Sequence, residues 1–248
     1  MRALRIGDIR VAFTDRHSKV SLPPHEVARL GAEARAVAVR GRDEVASALG
    51  LPPGRVVYLR QVHGAEVAYV REPFADSPPP VDGVCTDQAR LALAILVADC
   101  APVLLADPVA GVVGAAHAGR AGTTAGVVDA LVAALVARGG VPSRMTSVIG
   151  PAACALCYEV SAEIREEMAA VIPESWATTR WGTPGLDLRG AITALLHRSG
   201  VQDVRHEDRC TIEAPELYSY RREGPTGDFA AYIWREEPNS LISSRKAV

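Results

Sequence analysis

Aromatic residues are scarce in this 248-residue chain, only 5% of it, although 48% is hydrophobic, so Ala, Val and Leu must fill the core. No apolar run approaches the roughly 18 residues of a membrane helix. Residues 1–20 carry charges throughout and lack the continuous apolar stretch of a signal peptide, so a soluble, cytoplasmic protein is expected. The net charge of −2 leaves no basic surplus to neutralise phosphates, which argues against nucleic acid as the main partner. The five cysteines are an odd number without regular disulfide spacing, as expected of a reduced compartment. The sequence contains no Walker loop, nucleophile elbow, GxGxxG fingerprint, internal repeat or low-complexity stretch.

Area scaling for a chain of this mass gives a folded surface of roughly 10,600 Å² against about 38,000 Å² unfolded, so a sizeable core forms without metal or disulfide staples. Residues 9–14 read as a first strand, and 25–38 and 42–49 as helices, the second ended by Gly50 and two prolines. Residues 56–62 and 66–70 are β-rich and flank a turn at His63-Gly64. Residues 91–98, 102–106 and 112–116 are apolar without alternation, as strands covered on both faces would be. A helix opens at Gly122-Thr123-Thr124, with either threonine as its cap, and ends at Gly139-Gly140. Residues 145–149 form a strand, 161–171 and 188–198 helices, and 201–205 and 230–234 late strands. This interleaving without strict βα alternation predicts an α+β fold, with mixed sheets forming the core, helices flanking them and residues 1–248 in a single domain.

Three phrases end such runs with a metal-capable side chain: Gln61-Val62-His63-Gly64, Ala98-Asp99-Cys100-Ala101-Pro102 and Ala116-His117-Ala118-Gly119. Two imidazoles and a thiolate are a catalytic zinc set with one position open. Each residue has a plainer reading: Cys100 as a small buried hydrophobe, His117 and His63 as hydrogen-bonded histidines. Asp99 beside Cys100 shifts that balance, because a carboxylate closing an apolar strand needs a donor, a metal shell or water. Separations of 37 and 17 residues exclude a zinc finger, which uses close ligand pairs. Cys154-Ala155-Leu156-Cys157 is a CxxC with no second such pair and lacks a thioredoxin-like setting, so it is read as structural or incidental rather than redox.

Taken in order, these phrases resemble the bacterial YfiH-type laccase-domain (multicopper polyphenol oxidase-like) family, whose members act as zinc-dependent purine nucleoside phosphorylases. The resemblance spans most of the chain. It includes Phe13-Thr14-Asp15-Arg16-His17-Ser18, the three ligand phrases, Ile149-Gly150-Pro151 with Cys157-Tyr158-Glu159-Val160, Leu186-Asp187-Leu188, Cys210-Thr211, and Ser219-Tyr220-Arg221-Arg222-Glu223-Gly224. The chain departs from it where His-Ala-Gly-Trp-Arg-Gly becomes His117-Ala118-Gly119-Arg120-Ala121-Gly122. Arg29-Leu30-Gly31 stands for Asn-Leu-Gly, and Gly227-Asp228 for Gly-Arg.

The resemblance implies a zinc site of His63, Cys100 and His117 in a strand-end pocket. Asp99 would orient a ligand or shuttle a proton, and Arg42 and Arg221 would contact phosphate or substrate. The partners would be a purine nucleoside and phosphate. Phosphate attack at the ribose carbon of adenosine, inosine or methylthioadenosine would release the base; attack of water at C6 of adenosine would deaminate it. The family name raises a rival, copper-dependent phenol oxidation, but paired histidine arrays are missing: six histidines include no His-x-His. Copper would still compete for the trio. A further alternative, kept open by Arg120 and Ala121, is a weakened protein that binds a nucleoside, a cell-wall precursor or a protein partner.

Overall fold

The computed structural model describes residues 1–52, 54–74 and 77–237. Its first half contains β1 (Arg2–Ile6), β2 (Ile9–Phe13), α1 (Pro24–Leu30), α2 (Ala34–Ala48), β3 (Val56–Val57), β4 (Val67–Tyr69), β5 (Gly83–Thr86), β6 (Ala92–Val97), β7 (Ala101–Asp107) and β8 (Val112–Ala118). There follow α3 (Arg120–Thr124), α4 (Val127–Val136), β9 (Thr146–Ile149), α5 (Ala162–Val171), β10 (Trp176–Thr178), β11 (Pro184–Leu186), α6 (Leu188–Arg198), β12 (Asp203–His206), α7 (Tyr220–Glu223) and β13 (Phe229–Arg235). Two mixed sheets dominate: five strands in the order β1-β2-β13-β6-β3, and six in the order β12-β9-β7-β8-β5-β4. Their inner faces share one apolar cluster, in which Phe13, Leu93, Ile95 and Phe229 of the first sheet meet Leu104, Val113 and Val148 of the second. Residues of α2 cover the outer face of the first sheet, and those of α4 and α6 cover the outer face of the second. The fold is therefore α+β, with sheet packed on sheet and helices outside. The strands predicted without polar alternation are those buried on both faces: every residue of β7 and β8 is buried.

Local chemistry moved several expected boundaries. The run 56–62 contributes only two ladder residues, because the Gln61 side chain takes over the pairing. Its Nε2 donates to Leu96 O at 2.7 Å and its Oε1 accepts from Leu96 N at 2.9 Å. The helix expected from Gly122 is two helices, since Gly126 is left-handed at φ 95° and resets the axis. Neither threonine caps: Gly119 and Gly126 occupy the cap positions, and Thr124 Oγ1 donates back to Arg120 O at 3.0 Å. Ser161 does cap α5, accepting from Ile164 N. Strand β1 has no apolar signature because it is an exposed edge, with Arg2 and Arg5 along it. Among the described residues no helix is long and apolar enough to cross a membrane.

Candidate metal centre and its cavity

The chain crosses between the two sheets four times, and two of those crossings, β3 to β4 and β6 to β7, bring their connections to the same place. β6 belongs to the five-stranded sheet and β7 to the six-stranded one, so Asp99 and Cys100 are the turn between sheets. Asp99 takes φ 88° to make that turn. β3 and β4 also lie in different sheets, and His63 sits in their connection with φ 61°. His117 arrives on β8, whose antiparallel register with β7 places it opposite Pro102, beside Cys100. The ligand atoms of His63, Cys100 and His117 lie within 4.8 Å of one another. Cys100 Sγ is 3.9 Å from His63 Nε2, and the two imidazole rings meet edge to face with centroids 4.6 Å apart.

A residue that sequence reasoning missed organises this group. Asp82 is fully buried, and its carboxylate accepts from the backbone N–H of Val62 (3.1 Å), His63 (2.9 Å) and Gly64 (2.7 Å). The same carboxylate lies 2.8 Å from His117 Nδ1, which leaves His117 Nε2 as the ring nitrogen available to a ligand. One side chain thus fixes both the turn that carries His63 and the ring of His117. Its only sequence signal is a carboxylate in the apolar phrase Val81-Asp82-Gly83-Val84, just after the proline-rich loop.

The electrostatics favour a thiolate. Burial pushes the Cys100 thiol up, but hydrogen bonding and charge from His117 and His63 outweigh it and bring it down to about 7. Burial opposes the charged form of His117, yet Asp82 and Cys100 raise it to about 9. Burial also works against the Asp82 carboxylate, and its donors still hold it near 2. Two imidazoles, a thiolate and a carboxylate behind one imidazole are a donor set that fits zinc. The backbone is cut to match. A Cβ on Gly119 would lie 2.7 Å from Cys100 Sγ and 3.1 Å from His63 Cδ2. Gly119→Ala is therefore expected to weaken metal binding roughly 10–100-fold with the fold intact, measured by metal titration beside a thermal melt.

The trio lines a cavity of about 560 Å³ that Leu59, Leu96, Tyr158, Leu188, Arg221 and Asp228 also line. Of the other residues expected at the site, Asp99 borders the cavity, but its carboxylate is engaged, Oδ1 with Thr211 Oγ1 and Oδ2 with Arg221 N at 2.7 Å. Both oxygens of Asp99 are thus taken up by hydrogen bonds within the chain. Arg221 points its Nη1 to Glu159 O at 2.7 Å and lies 4.9 Å from the Tyr158 ring centre. Arg42 is elsewhere: it donates to Val20 O at 2.9 Å, stacks 4.3 Å over Tyr58 and lines a separate small cavity. Arg120 and Ala121 form the first turn of α3 and are not among the residues lining the large cavity, whereas Asp228 is.

Comparison with known proteins shows the family. The chain is 49% identical over 233 residues to the purine nucleoside phosphorylase ORF3 of Streptomyces griseus, covering 92% of this chain and 95% of the relative. It is equally 49% identical over 233 residues to the purine nucleoside phosphorylase SCO2081 of Streptomyces coelicolor, covering 92% and 96%. The crystal structure of YlmD from Geobacillus stearothermophilus superposes with a TM-score of 0.79 at 31% identity, covering 93% of each chain. Residues 10–236 match the model of the family described as multi-copper polyphenol oxidoreductase laccase, and the chain belongs to this YfiH-type, laccase-like family.

Proposed function

We propose that this chain is a zinc-dependent enzyme that cleaves purine nucleosides with phosphate. The observation that carries the reading is a two-imidazole, one-thiolate group opening into a largely apolar cavity of the size that small-molecule sites take. The names of the two Streptomyces relatives support it. Zinc held by His63, Cys100 and His117 would supply electrostatic stabilisation of developing negative charge and a lowered water pKa.

The chain's own groups account for the rest. Leu59, Leu96, Leu188 and the Tyr158 ring give a flat purine an apolar slot. In phosphorolysis a phosphate oxygen bonds to the ribose C1′, the C1′–N9 bond breaks, and its electron pair leaves with the base, which takes up a proton. Asp228 is placed to supply that proton or to hydrogen-bond the ring. Burial raises its carboxyl toward the neutral form, and Ser21 Oγ holds it at 3.0 Å. The Arg221 guanidinium, already held by Glu159 O, presents its remaining N–H groups to the phosphate. Deamination of adenosine, the finer reading, uses the same cavity: water adds at C6, ammonia leaves, and no phosphate is consumed. Methylthioadenosine and inosine fall within the same substrate class.

Adenosine or inosine incubated with phosphate is expected to yield free base and ribose 1-phosphate, resolved by chromatography. Omitting phosphate isolates the deaminated nucleoside. No product above a Cys100→Ala control, for any purine nucleoside, would overturn the reading. Arg221→Ala should weaken phosphate use by about one to two decades, the scale of a lost charge-assisted hydrogen bond of roughly 1.5–3 kcal/mol. The oxidase reading has less support: among the described residues, the trio is the one group of potential ligands that contains histidine.

A further inference from the structure

The CxxC that sequence reading sets aside as structural or incidental does have a counterpart, one that cysteine spacing alone does not reveal. Cys210-Thr211-Ile212-Glu213 folds into the same turn as Cys154-Ala155-Leu156-Cys157. In the first, Cys157 N and Tyr158 N both donate to Cys154 O at 2.9 Å. In the second, Glu213 N and Ala214 N both donate to Cys210 O, at 3.2 and 2.9 Å. A parallel bridge between Ala152 and Cys210 sets the two turns side by side, and Cys154 N donates to Cys210 Sγ at 3.4 Å. The ligand atoms of Cys154, Cys157, Cys210 and Glu213 all lie within 4.8 Å of one another.

We propose that these two turns form a second metal site, a structural zinc held by three thiolates and the Glu213 carboxylate. Paired CxxC-type turns are the usual way a protein presents four ligands tetrahedrally, and zinc–sulfur bonds of about 2.3 Å set neighbouring sulfurs roughly 3.8 Å apart. A small contraction of the present group reaches that geometry. Four protein ligands leave no open position, which separates this site from the His63, Cys100 and His117 centre. Cys157 and Cys210 are buried, Glu213 closes the exposed side, and Arg180, paired with Glu213, offsets the excess negative charge. The site's work is mechanical. Asp99 O accepts from Ala153 N at 3.0 Å, and Asp99 Oδ1 accepts from Thr211 Oγ1. Tyr158 follows Cys157 directly and lines the cavity. Clamping the two turns together therefore fixes the loop that carries Cys100 and one wall of the substrate cavity.

The test counts metal and does not depend on turnover. Purified under reducing conditions and equilibrated with zinc, the protein should retain about two ions per chain after dialysis, and Cys100→Ala about one. Cobalt added to Cys100→Ala should give strong thiolate-to-cobalt charge-transfer absorption. Glu213→Cys in that background should intensify the band and tighten binding by about tenfold or more. Glu213→Gln, on an exposed side chain whose replacement leaves the core packing untouched, should weaken binding by a similar factor. Absence of the cobalt band in Cys100→Ala, or a Cys154–Cys157 disulfide found by mass spectrometry in the reduced preparation, would overturn the proposal. So would indifference of cobalt affinity to both Glu213 substitutions.

Discussion

Cys100→Ala is expected to lose all nucleoside turnover above background and one metal ion per chain, while its thermal transition stays cooperative. The thiolate is the sole anionic ligand of the trio, and removing it leaves two imidazoles, one of them on an exposed turn. Binding energy drops steeply when a three-ligand site loses its charged member. The fold has little to lose, because Cys100 only packs against the edge of the shared core and the sheets around it are continuous. The cost should stay near 1 kcal/mol, a shift of roughly 2–4 °C for a chain of this length. Metal analysis, chromatography of overnight reactions and a melting curve check the three parts together. A variant that is folded, metal-depleted and still active would remove the metal from the mechanism. One that is unfolded would make this centre structural.

The second large effect is expected at Asp82. Asp82→Ala strips the partner from His117 Nδ1 and from three backbone N–H groups at once, in a position closed to solvent. Breaking a buried hydrogen-bonded charge pair by removing one member costs about 3–5 kcal/mol, so the melting temperature should fall by roughly 10 °C. Metal affinity should fall with it, because both histidines lose their support. The pH dependence has a definite sign. The folded carboxylate is held near 2, below its ordinary value, so its share of stability is present above about 4 and is lost as the pH falls toward 2. Melts between pH 2 and 5 should show that loss in the wild type and a flatter profile in Asp82→Ala. Equal slopes would place the acid sensitivity elsewhere.

Much of the scaffold was legible in sequence because burial leaves a local signature. The unbroken apolar runs of β6, β7 and β8 announce strands covered on both faces, and the serine before α5 announces its start. What lacked such a signature was misplaced. β1 is an exposed edge with no apolar alternation, and β3 shortens because a glutamine side chain replaces its ladder. The α3–α4 break rests on one left-handed glycine. The family resemblance implied a phosphate or substrate contact for Arg42, yet its guanidinium stacks on Tyr58 and donates to Val20 O, and it is not among the residues lining the large cavity.

The candidate centre divides in the same way. Residue chemistry at strand ends singled out His63, Cys100 and His117, and the order of the phrases around them carried the family. Their convergence depends on two sheet-to-sheet crossings and on the β7–β8 register, which are long-range pairings that no local spacing encodes. Asp82 and the Cys210–Glu213 turn escaped for the same reason, since their partners lie 18 to 35 residues away for Asp82 and 56 residues separate Cys154 from Cys210. By itself, then, the sequence determined which side chains could do the chemistry and which segments would be buried, because those follow from residue type and local pattern. Only the tertiary structure decided which of them share a cavity, which are held by a buried carboxylate and which stand apart, because those contacts arise where separate strands and turns are brought together by packing.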